Sequence, residues 1–231
     1  MSKLMPQKKA PSKEKLLTEI EAKQRLSKAG IPVVETRLAK TKTEAIALAR
    51  EIGFPVAMKV LSGDVSHKTE AGGVKLNLAN GSQVGRAYSE MMKSVREKVP
   101  GANIDGVSVQ NMAEPGVEII IGMNRDPQFG PVLMFGLGGI LVEVLKDVSF
   151  RLVPVSRLDA SEMVHEIKGY ALLDGYRGQE PVNIPELEKL IVKVSDFIEK
   201  NPDIAELDLN PLIASSKGII AVDARIVLMG K

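Results

Sequence analysis

Two alternating segments near the C-terminal end of the chain constrain its fold most strongly. Residues 206–213 and residues 218–226 each alternate polar with apolar side chains, which predicts two β-strands that bury one face each. The polar stretch between them predicts a tight turn at residues 216–217, so the two strands would form an antiparallel hairpin. The side chains that this register assigns to the buried face are Leu207, Leu209, Ile213, Ile220, Val222 and Ile226.

The other face of the predicted hairpin carries oxygen-bearing side chains. Extending the pairing sets Asn210 across from Asp223 and Asp208 across from Arg225, unless a bulge at Gly218 shifts the register by one residue. An amide carbonyl beside a carboxylate suits Mg²⁺, which prefers oxygen ligands and keeps water or phosphate in its other positions. A hairpin with one solvated face explains the same pattern, and this alternative stays open.

Composition limits the classes of function. With 231 residues, 44% hydrophobic and 26% charged, the chain has the composition of one large or two small globular domains. It contains no cysteine, so disulfide frameworks and thiolate metal sites are excluded, and a reducing cytosol is compatible. A net charge of +2 and 3% aromatic residues argue against nucleic-acid binding.

The apolar segments do not predict a membrane protein. The longest of them, residues 131–145, is interrupted by Gly136, Gly138 and Gly139 and is shorter than the ~20 residues that span a bilayer. The first residues lack the apolar region of a secretion signal, and the lysines among residues 3–15 predict a solvated tail. We therefore expect a soluble, cytoplasmic protein that has neither nucleic acid nor membrane as a partner.

Helical and strand patterns alternate through the first half of the chain, which predicts an α/β arrangement. The predicted helices lie at residues 12–29, 43–52 and 82–98, and the predicted strands at 32–36, 55–61, 74–78 and 106–112. The second half is richer in strands, predicted at residues 117–123, 131–135, 140–145 and 150–155, with helices at 159–167 and 185–199. We expect two subdomains, residues 1–110 with the leading helix and residues 111–231 with the hairpin.

A lysine in an apolar strand is the strongest single signal for an anion. Lys59 ends the run Phe-Pro-Val-Ala-Met-Lys, where an unpaired ammonium group is costly to bury. A salt bridge to a neighbouring strand or a solvent-reaching side chain would also explain it. The loop at residues 66–74 follows, with Gly72 and Gly73 able to bring backbone N–H groups close to phosphate oxygens, although it does not match the G-x-x-x-x-G-K-[ST] phosphate loop.

Three motifs together resemble a known family. They are Pro-Val-Ala-Met-Lys, the loop Ser-His-Lys-Thr-Glu-x-Gly-Gly-Val, and the final Asp-Leu-Asn-Pro-Leu with Val-Asp-Ala-Arg. Across essentially its whole length the chain is similar to the ATP-grasp β subunits of ADP-forming acyl-CoA synthetases. The resemblance implies an α/β (α+β) ATP-grasp fold with two subdomains and a nucleotide, ADP or ATP, in the cleft between them.

The resemblance also assigns roles on the nucleotide. Lys59 matches the lysine that holds the phosphates, and Gly72, Gly73 and Val74 match the small lid over them. The remaining matched positions are Gln110 and Met112, at a hinge that meets adenine through backbone groups, and Glu118, an acidic position on the nucleotide side.

The metal ligands follow from the related succinyl-CoA synthetase β subunits. Asn210 and Asp223 match the Mg²⁺ ligands of those proteins, whose motif has glutamate where this chain has Asp208. The resemblance therefore leaves Asp208 either as a third metal ligand or as the cross-strand partner of Arg225.

Two further residues are candidates for catalysis. His67 lies in the matched loop, and the family resemblance implies that it accepts a phosphoryl group near ATP, whereas a surface histidine is the ordinary alternative. Arg151, if it faces the cleft, could neutralise the oxygens of the transferring phosphoryl group. An ion pair of Arg151 with Glu143 or Asp147 is equally consistent with the sequence.

The expected function is one half-reaction of acyl-CoA + ADP + phosphate giving acid + CoA + ATP. The family's α subunit would supply the CoA-binding domain and the main phosphohistidine, in an α₂β₂ assembly. Two rival functions remain at this point: a stand-alone ATP-grasp carboxylate–amine ligase, and a nucleotide-binding regulatory subunit without catalysis.

Overall fold

The computed structural model describes residues 14–65, 68–139 and 146–230. Six α-helices in these ranges are α1 (Glu19–Lys28), α2 (Lys42–Ile52), α3 (Gly81–Lys98), α4 (Arg157–Glu166), α5 (Tyr170–Leu173) and α6 (Ile184–Lys200), and a 3₁₀ turn spans Tyr176–Gly178. The strands in the same ranges are β1 (Lys15–Leu16), β2 (Thr36–Ala39), β3 (Val56–Leu61), β4 (Val74–Leu78), β5 (Gly106–Asn111), β6 (Val117–Asp126), β7 (Gly130–Leu137), β8 (Val148–Leu152), β9 (Ile204–Ser215), β10 (Gly218–Ala221) and β11 (Arg225–Leu228). The strand predicted at residues 140–145 lies outside the described residues.

The helices begin where the sequence provides side-chain caps. Thr18 accepts a hydrogen bond from the backbone of Glu21, whose carboxylate accepts one from the backbone N–H of Thr18, and this reciprocal pair fixes the first turn of α1. Ser156 forms the same pair at the start of α4, and Asn183 caps α6. The helices predicted at residues 159–167 and 185–199 therefore lie close to the observed α4 and α6. The helix predicted at residues 12–29 begins only at Glu19, because residues 15–16 form β1 and Thr18 caps the helix.

The strands form two sheets. The small sheet has the order β2-β5-β3-β4, and the large sheet has the order β1-β11-β9-β6-β7-β8 with β10 paired to β9. Every strand pairing described within these sheets is antiparallel. The chain leaves the small sheet at Asn111, the end of β5, and enters the large sheet at Val117.

Each sheet has its own apolar core. Helices α2 and α3 cover the small sheet, whereas α1, α4 and α6 contribute buried side chains to the core of the large sheet. The expectation that the leading helix belongs to the first half is wrong, because Ala22 and Leu26 of α1 pack in the second core. The physical reason is the pairing of β1 with β11, which draws the start of the chain onto the large sheet.

The closing hairpin confirms the predicted turn and part of the predicted register. Ser215 pairs with Gly218 and Asp208 pairs with Arg225, but residues 222–224 leave the strand ladder between β10 and β11. The backbone N–H of Val222 still donates to the carbonyl of Pro211 over 2.9 Å, which keeps the two segments adjacent.

A bulge in β9 overturns part of the predicted burial. Asn210 and Pro211 together face the single residue Ile120 of β6, and this extra residue inverts the alternation of β9. Leu207 and Leu209 are buried as expected, but beyond the bulge the buried side chains are Leu212, Ala214, Ile219 and Ala221, not Ile213, Ile220 and Val222.

The described helices do not include a membrane span. None of those in residues 14–65, 68–139 and 146–230 is both long and apolar enough to cross a bilayer.

Candidate functional site

Lys59 and the closing hairpin meet between the two sheets. All six residues of β3 are buried, and Lys59 lies between Val74 of β4 and Ser108 of β5. Its ammonium group donates to Asp223 Oδ2 over 2.8 Å and to the carbonyl of Val222 over 3.3 Å. The structure therefore joins the cationic strand residue and the predicted metal-binding segment in one site.

A second lysine from α1 completes this site, and the sequence interpretation missed it. Lys23 Nζ lies 2.9 Å from Glu19 Oε1, 2.8 Å from Gln110 Oε1 and 2.7 Å from the carbonyl of Val222. It also donates to the hydroxyl of Thr36 over 2.8 Å. A single ammonium group thus connects α1, the small sheet and the closing hairpin.

Glu19 is the shared anion of both lysines. Its Oε1 atom lies 3.1 Å from Lys59 Nζ, and the Glu19 side chain is only 2% exposed. Its other oxygen, Oε2, has no hydrogen-bond partner within the described residues and lies 3.8 Å from Lys68 Nζ. A signal for this pair existed in the sequence, because Glu19 and Lys23 are spaced i,i+4 on the face of α1 that also carries Leu26.

Glu19 and Lys59 stabilise each other's charged forms, whereas burial lowers the pKa of Lys23. Burial raises the pKa of the Glu19 carboxyl, but the ammonium groups of Lys59 and Lys23 outweigh burial and hold that pKa below its ordinary value. Burial lowers the pKa of Lys59, whereas Asp223 and Glu19 raise it, and the net shift is upward. Glu19 and Lys59 are therefore both charged at neutral pH.

The expected metal ligands have unequal surroundings. Asp223 accepts from its neighbour's backbone, Ala224 N, over 2.8 Å through Oδ1 and from Lys59 through Oδ2, and the Asn210 side chain is exposed. Burial raises the pKa of Asp208, and Arg225 opposes this shift only in part. Arg225 is paired with Asp208 across the strands, but its guanidinium donates to Glu206 Oε2 over 2.8 Å.

These side chains fit Mg²⁺ better than a metal that needs a full protein cage. Among the residues that the structure describes, no three acidic or histidine side chains converge on one point. The carboxylate of Asp223 and the amide of Asn210 are hard oxygen donors, and Mg²⁺ fills its other positions with water and phosphate.

The glycines of the predicted lid are required by packing. A Cβ on Gly73 would lie 2.5 Å from Val60 Cγ1, and Gly72 has a φ of +73° with Ser94 Oγ 2.5 Å from its hypothetical Cβ. Their N–H groups are already used: Gly73 N donates to the carbonyl of Lys68 over 2.7 Å and Gly72 N to the carbonyl of Thr69 over 3.0 Å. In this conformation residues 68–73 form a closed turn rather than an open row of phosphate donors.

The hinge residues differ in their access to a ligand. Gln110 is only 1% exposed, its backbone lies between β2 and β3, and its side chain accepts from Lys23. Met112 instead lines a cavity of about 700 Å³ between the sheets, together with Val34, Ile213 and Ile220. Of the two, Met112 is the residue that a bound base could contact.

Glu118 is exposed and pairs with Ile213 of β9. The glycine segment after β7 approaches it closely, because Gly138 N donates to the Glu118 carbonyl over 2.7 Å and a Cβ on Gly139 would lie 2.8 Å from Glu118 Oε2. This close approach explains the glycines at these two positions.

Arg151 does not face the cleft in this structure, so the condition on which its catalytic role depended is not met. In β8 it shares a face with Ser149, which donates to the carbonyl of Met163 in α4, so Arg151 also points towards that helix. Its guanidinium lies 2.9 Å from Glu166 and 3.2 Å from Glu162. An ion pair was one of the sequence alternatives, but with other partners. The other catalytic candidate, His67, lies outside the described residues.

Comparisons with known proteins match this architecture. A family model for the ATP-grasp domain matches residues 8–228. The β subunit of acetate–CoA ligase [ADP-forming] I from Pyrococcus furiosus is 48% identical over 220 residues, which cover 95% of either chain.

Solved structures give the same result. A dinucleotide-forming acetyl-coenzyme A synthetase 1 from Ca. Korarchaeum cryptofilum, in complex with coenzyme A, Ca-AMPCP and HgCl⁺, is 52% identical with a TM-score of 0.90 and covers 93% of each chain. The same protein in complex with coenzyme A and Mg-AMPPCP, its phosphohistidine segment pointing towards the nucleotide-binding site, is 48% identical at a TM-score of 0.81 and covers 93% of each chain. The chain belongs to the ATP-grasp family and, within it, to the β subunits of ADP-forming acetate–CoA ligases.

Proposed function

We propose that this chain transfers a phosphoryl group between a histidine-bound phosphate and ADP, as the nucleotide-binding half of an ADP-forming acid–CoA ligase. The complete reaction is acyl-CoA + ADP + phosphate giving acid + CoA + ATP. The P. furiosus relative is named as a β subunit of such a ligase, and the Korarchaeum protein carries Mg-AMPPCP and a phosphohistidine segment.

The observation that carries this proposal is the contact between Lys59 and Asp223. The two side chains come from β3 and from the segment between β10 and β11, and they lie 2.8 Å apart at the junction of the two sheets. A buried cation beside a hard anion is suited to a magnesium-complexed polyphosphate, since Lys59 can pair with phosphate oxygens while Asp223 binds the metal.

The metal is assigned to the oxygen donors of the closing hairpin. Asp223 and Asn210 are the proposed ligands of Mg²⁺, which would offset the charge on the transferring phosphoryl group. Asp208 is proposed as a third oxygen donor near the metal, on the strand that also carries Asn210.

The nucleotide base is assigned to the cavity beside Met112. That cavity continues between the small sheet and the closing hairpin and has the apolar side chains of Val34, Ile213 and Ile220 in its wall. Lys59 would hold the phosphates. The lid glycines Gly72 and Gly73 would shape the turn over the phosphates, with Val74 at the start of β4.

The remaining nucleotide-side residues have indirect roles in this proposal. Gln110 would act through its bond to Lys23, and Glu118 would lie at the phosphate side of the cleft, next to the glycines at residues 138–139. The two subdomains, proposed to divide near residue 111, would exclude water from the transferring group.

His67 is proposed as a transient phosphoryl acceptor. A neutral imidazole is nucleophilic, and the phosphoramidate formed on it is a good phosphoryl donor. It adjoins Lys68, whose ammonium group lies 3.8 Å from Glu19 Oε2 at the edge of the cluster.

As a β subunit, the chain has an α partner. We propose that the partner supplies the CoA-binding domain and the main phosphohistidine in an α₂β₂ assembly, and that the assembly works in the cytoplasm. The acyl substrate would then be selected by the partner rather than by this chain.

The test is to co-purify the chain with its α partner and to measure acid- and CoA-dependent turnover of ATP with Mg²⁺. The purified chain alone should bind Mg-ADP and make no acyl-CoA, whereas the complex should make it. The substitution Asp223→Asn should remove the Mg²⁺-dependent part of ADP binding, and His67→Ala should abolish phosphoryl transfer to ADP. Full transfer by His67→Ala would reject the role of that histidine, and ADP binding without any magnesium-dependent phosphate exchange would indicate a regulatory subunit.

A further inference from the structure

We propose that Glu19 is a positioning residue that holds Lys59 in place while Asp223 binds the metal. The inference rests on the proposed function and adds a residue of α1 to its site. Glu19 Oε1 and Asp223 Oδ2 contact the same ammonium group, over 3.1 Å and 2.8 Å.

Two anions on one lysine have a consequence when the metal binds. If the Asp223 carboxylate coordinates Mg²⁺, the charge of the metal weakens the bond from that carboxylate to Lys59. Without Glu19, Lys59 would then have only the nucleotide phosphates as a counter-charge, and before they bind it would be a buried cation without a partner, which is costly. Because Glu19 lies on a separate helix, its bond to Lys59 persists when Asp223 turns to the metal.

Charge neutrality of the free chain does not by itself require this contact. Lys23 already balances Glu19 at 2.9 Å, and Asp223 already balances Lys59. The contact between Glu19 and Lys59 is therefore additional to the pairs needed for neutrality. It becomes important when Asp223 binds the metal and no longer neutralises Lys59.

Glu19 is also held firmly enough to position another side chain. The capping pair of Thr18 and Glu21 fixes the first turn of α1, and Ala22 and Leu26 anchor the helix in the core of the large sheet. The Glu19 side chain is 2% exposed, so it has little room to move away from Lys59. Its Oε2 atom has no hydrogen-bond partner among the described residues and only a longer ion pair, 3.8 Å, to Lys68 Nζ.

The proposal predicts opposite effects on metal and nucleotide. In Glu19→Gln, Lys59 has only Asp223 as an anion, so the metal must compete with that ion pair and more Mg²⁺ is needed. Removal of one negative charge does not weaken the binding of anionic ADP to Lys59 in the absence of metal. General damage to the site would instead weaken ADP binding with and without Mg²⁺.

The experiment is calorimetric titration of ADP into the complex of this chain with its α partner, in EDTA and over a series of Mg²⁺ concentrations. In Glu19→Gln we expect the Mg²⁺ concentration that gives half of the maximal gain in ADP affinity to rise about tenfold, the scale of one lost charge-assisted hydrogen bond. ADP affinity in EDTA should not fall. Glu19→Asp, which retains the charge but is shorter by one methylene group, should also raise the half-saturating Mg²⁺ concentration.

The matched control is Glu21→Gln, on the same helix but exposed and bonded to Thr18 at the helix cap. It should leave both measurements unchanged, since glutamine also serves in a capping box. A Glu19→Gln protein with the natural Mg²⁺ dependence would overturn the proposal. An unchanged Mg²⁺ dependence in Glu19→Asp would also overturn it, because the charge of residue 19 would then act at a distance and not through contact with Lys59. If the Glu19→Gln protein does not fold, Glu19→Asp decides the question. Failure of the unmodified complex to bind Mg-ADP would instead refute the proposed function.

Discussion

Replacement of Lys23 by methionine tests how strongly the buried cluster ties α1 to both sheets. The side chain keeps a similar length but loses its charge and its donors. Four acceptors lose a partner: Glu19 Oε1, Thr36 Oγ1, Gln110 Oε1 and the Val222 carbonyl, which lie 2.7–2.9 Å from Lys23 Nζ.

The size of the effect follows from what those acceptors retain. Loss of one partner of a buried ion pair costs about 3–5 kcal/mol of the free energy of unfolding. Here Glu19 Oε1 keeps Lys59 at 3.1 Å, and the Val222 carbonyl keeps the same lysine at 3.3 Å. The Thr36 hydroxyl and Gln110 Oε1 lie 3.0 Å apart and can bond to each other. We therefore expect Lys23→Met to lower the free energy of unfolding by an amount at the lower end of this range, about 3 kcal/mol. For a chain of this size that corresponds to a fall in Tm of about 6–12 °C.

The assay is differential scanning calorimetry of the purified chain near neutral pH. Lys28→Met is the matched control, because Lys28 lies on the same helix, is exposed, and should change stability by no more than about 0.5 kcal/mol. If Lys23→Met lowers stability by less than about 1 kcal/mol, the cluster does not hold α1 as the distances indicate, and the reasoning fails.

Three further results are expected. Gly73→Ala should lower stability by about 1–3 kcal/mol in urea unfolding, because its Cβ would lie 2.5 Å from Val60 Cγ1, whereas Gly63→Ala has open space around its Cβ and should be near neutral; equal stability of the two variants would contradict the packing argument. The pKa of Glu19 is held below its ordinary value of 4.5, so the contribution of its carboxylate to stability is present above that value and is lost as the pH falls through the lowered pKa. In acid titrations of stability, Glu19→Gln should therefore lose less stability than the unmodified protein as the pH falls. The same loss in both proteins would contradict this role of Glu19. Arg151→Met should leave ADP affinity and phosphoryl transfer unchanged, since this arginine binds carboxylates of α4, and a loss of transfer would return it to the active site.

Local sequence signals predicted many of the elements. The strand at residues 74–78 is confirmed without change, and the helix predicted at 82–98 begins one residue earlier, at Gly81. These elements depend on alternation, helical spacing and a side-chain cap, all of which are properties of neighbouring residues. The turn at residues 216–217 is confirmed for the same reason, because it requires only the local turn residues and the flanking strands.

The predicted burial within the hairpin failed where a third strand intervened. The bulge at Asn210 and Pro211 exists in the pairing of β9 with β6, a strand about ninety positions away in the sequence. The alternation of polar and apolar residues within the hairpin does not reveal a bulge that forms only where the hairpin pairs with another strand. Arg151 failed similarly, because the side of β8 that it occupies is set by the helix packed there.

The sequence by itself determined the family motifs, the caps and the alternating strands, since each depends on a short run of residues. It also marked Lys59 as a cation in need of an anion. Only the tertiary structure decided which anions it meets, because Glu19 and Asp223 approach Lys59 from opposite ends of the chain. That meeting depends on β1 pairing with β11 and on α1 packing in the second core, contacts between distant segments that no local pattern encodes.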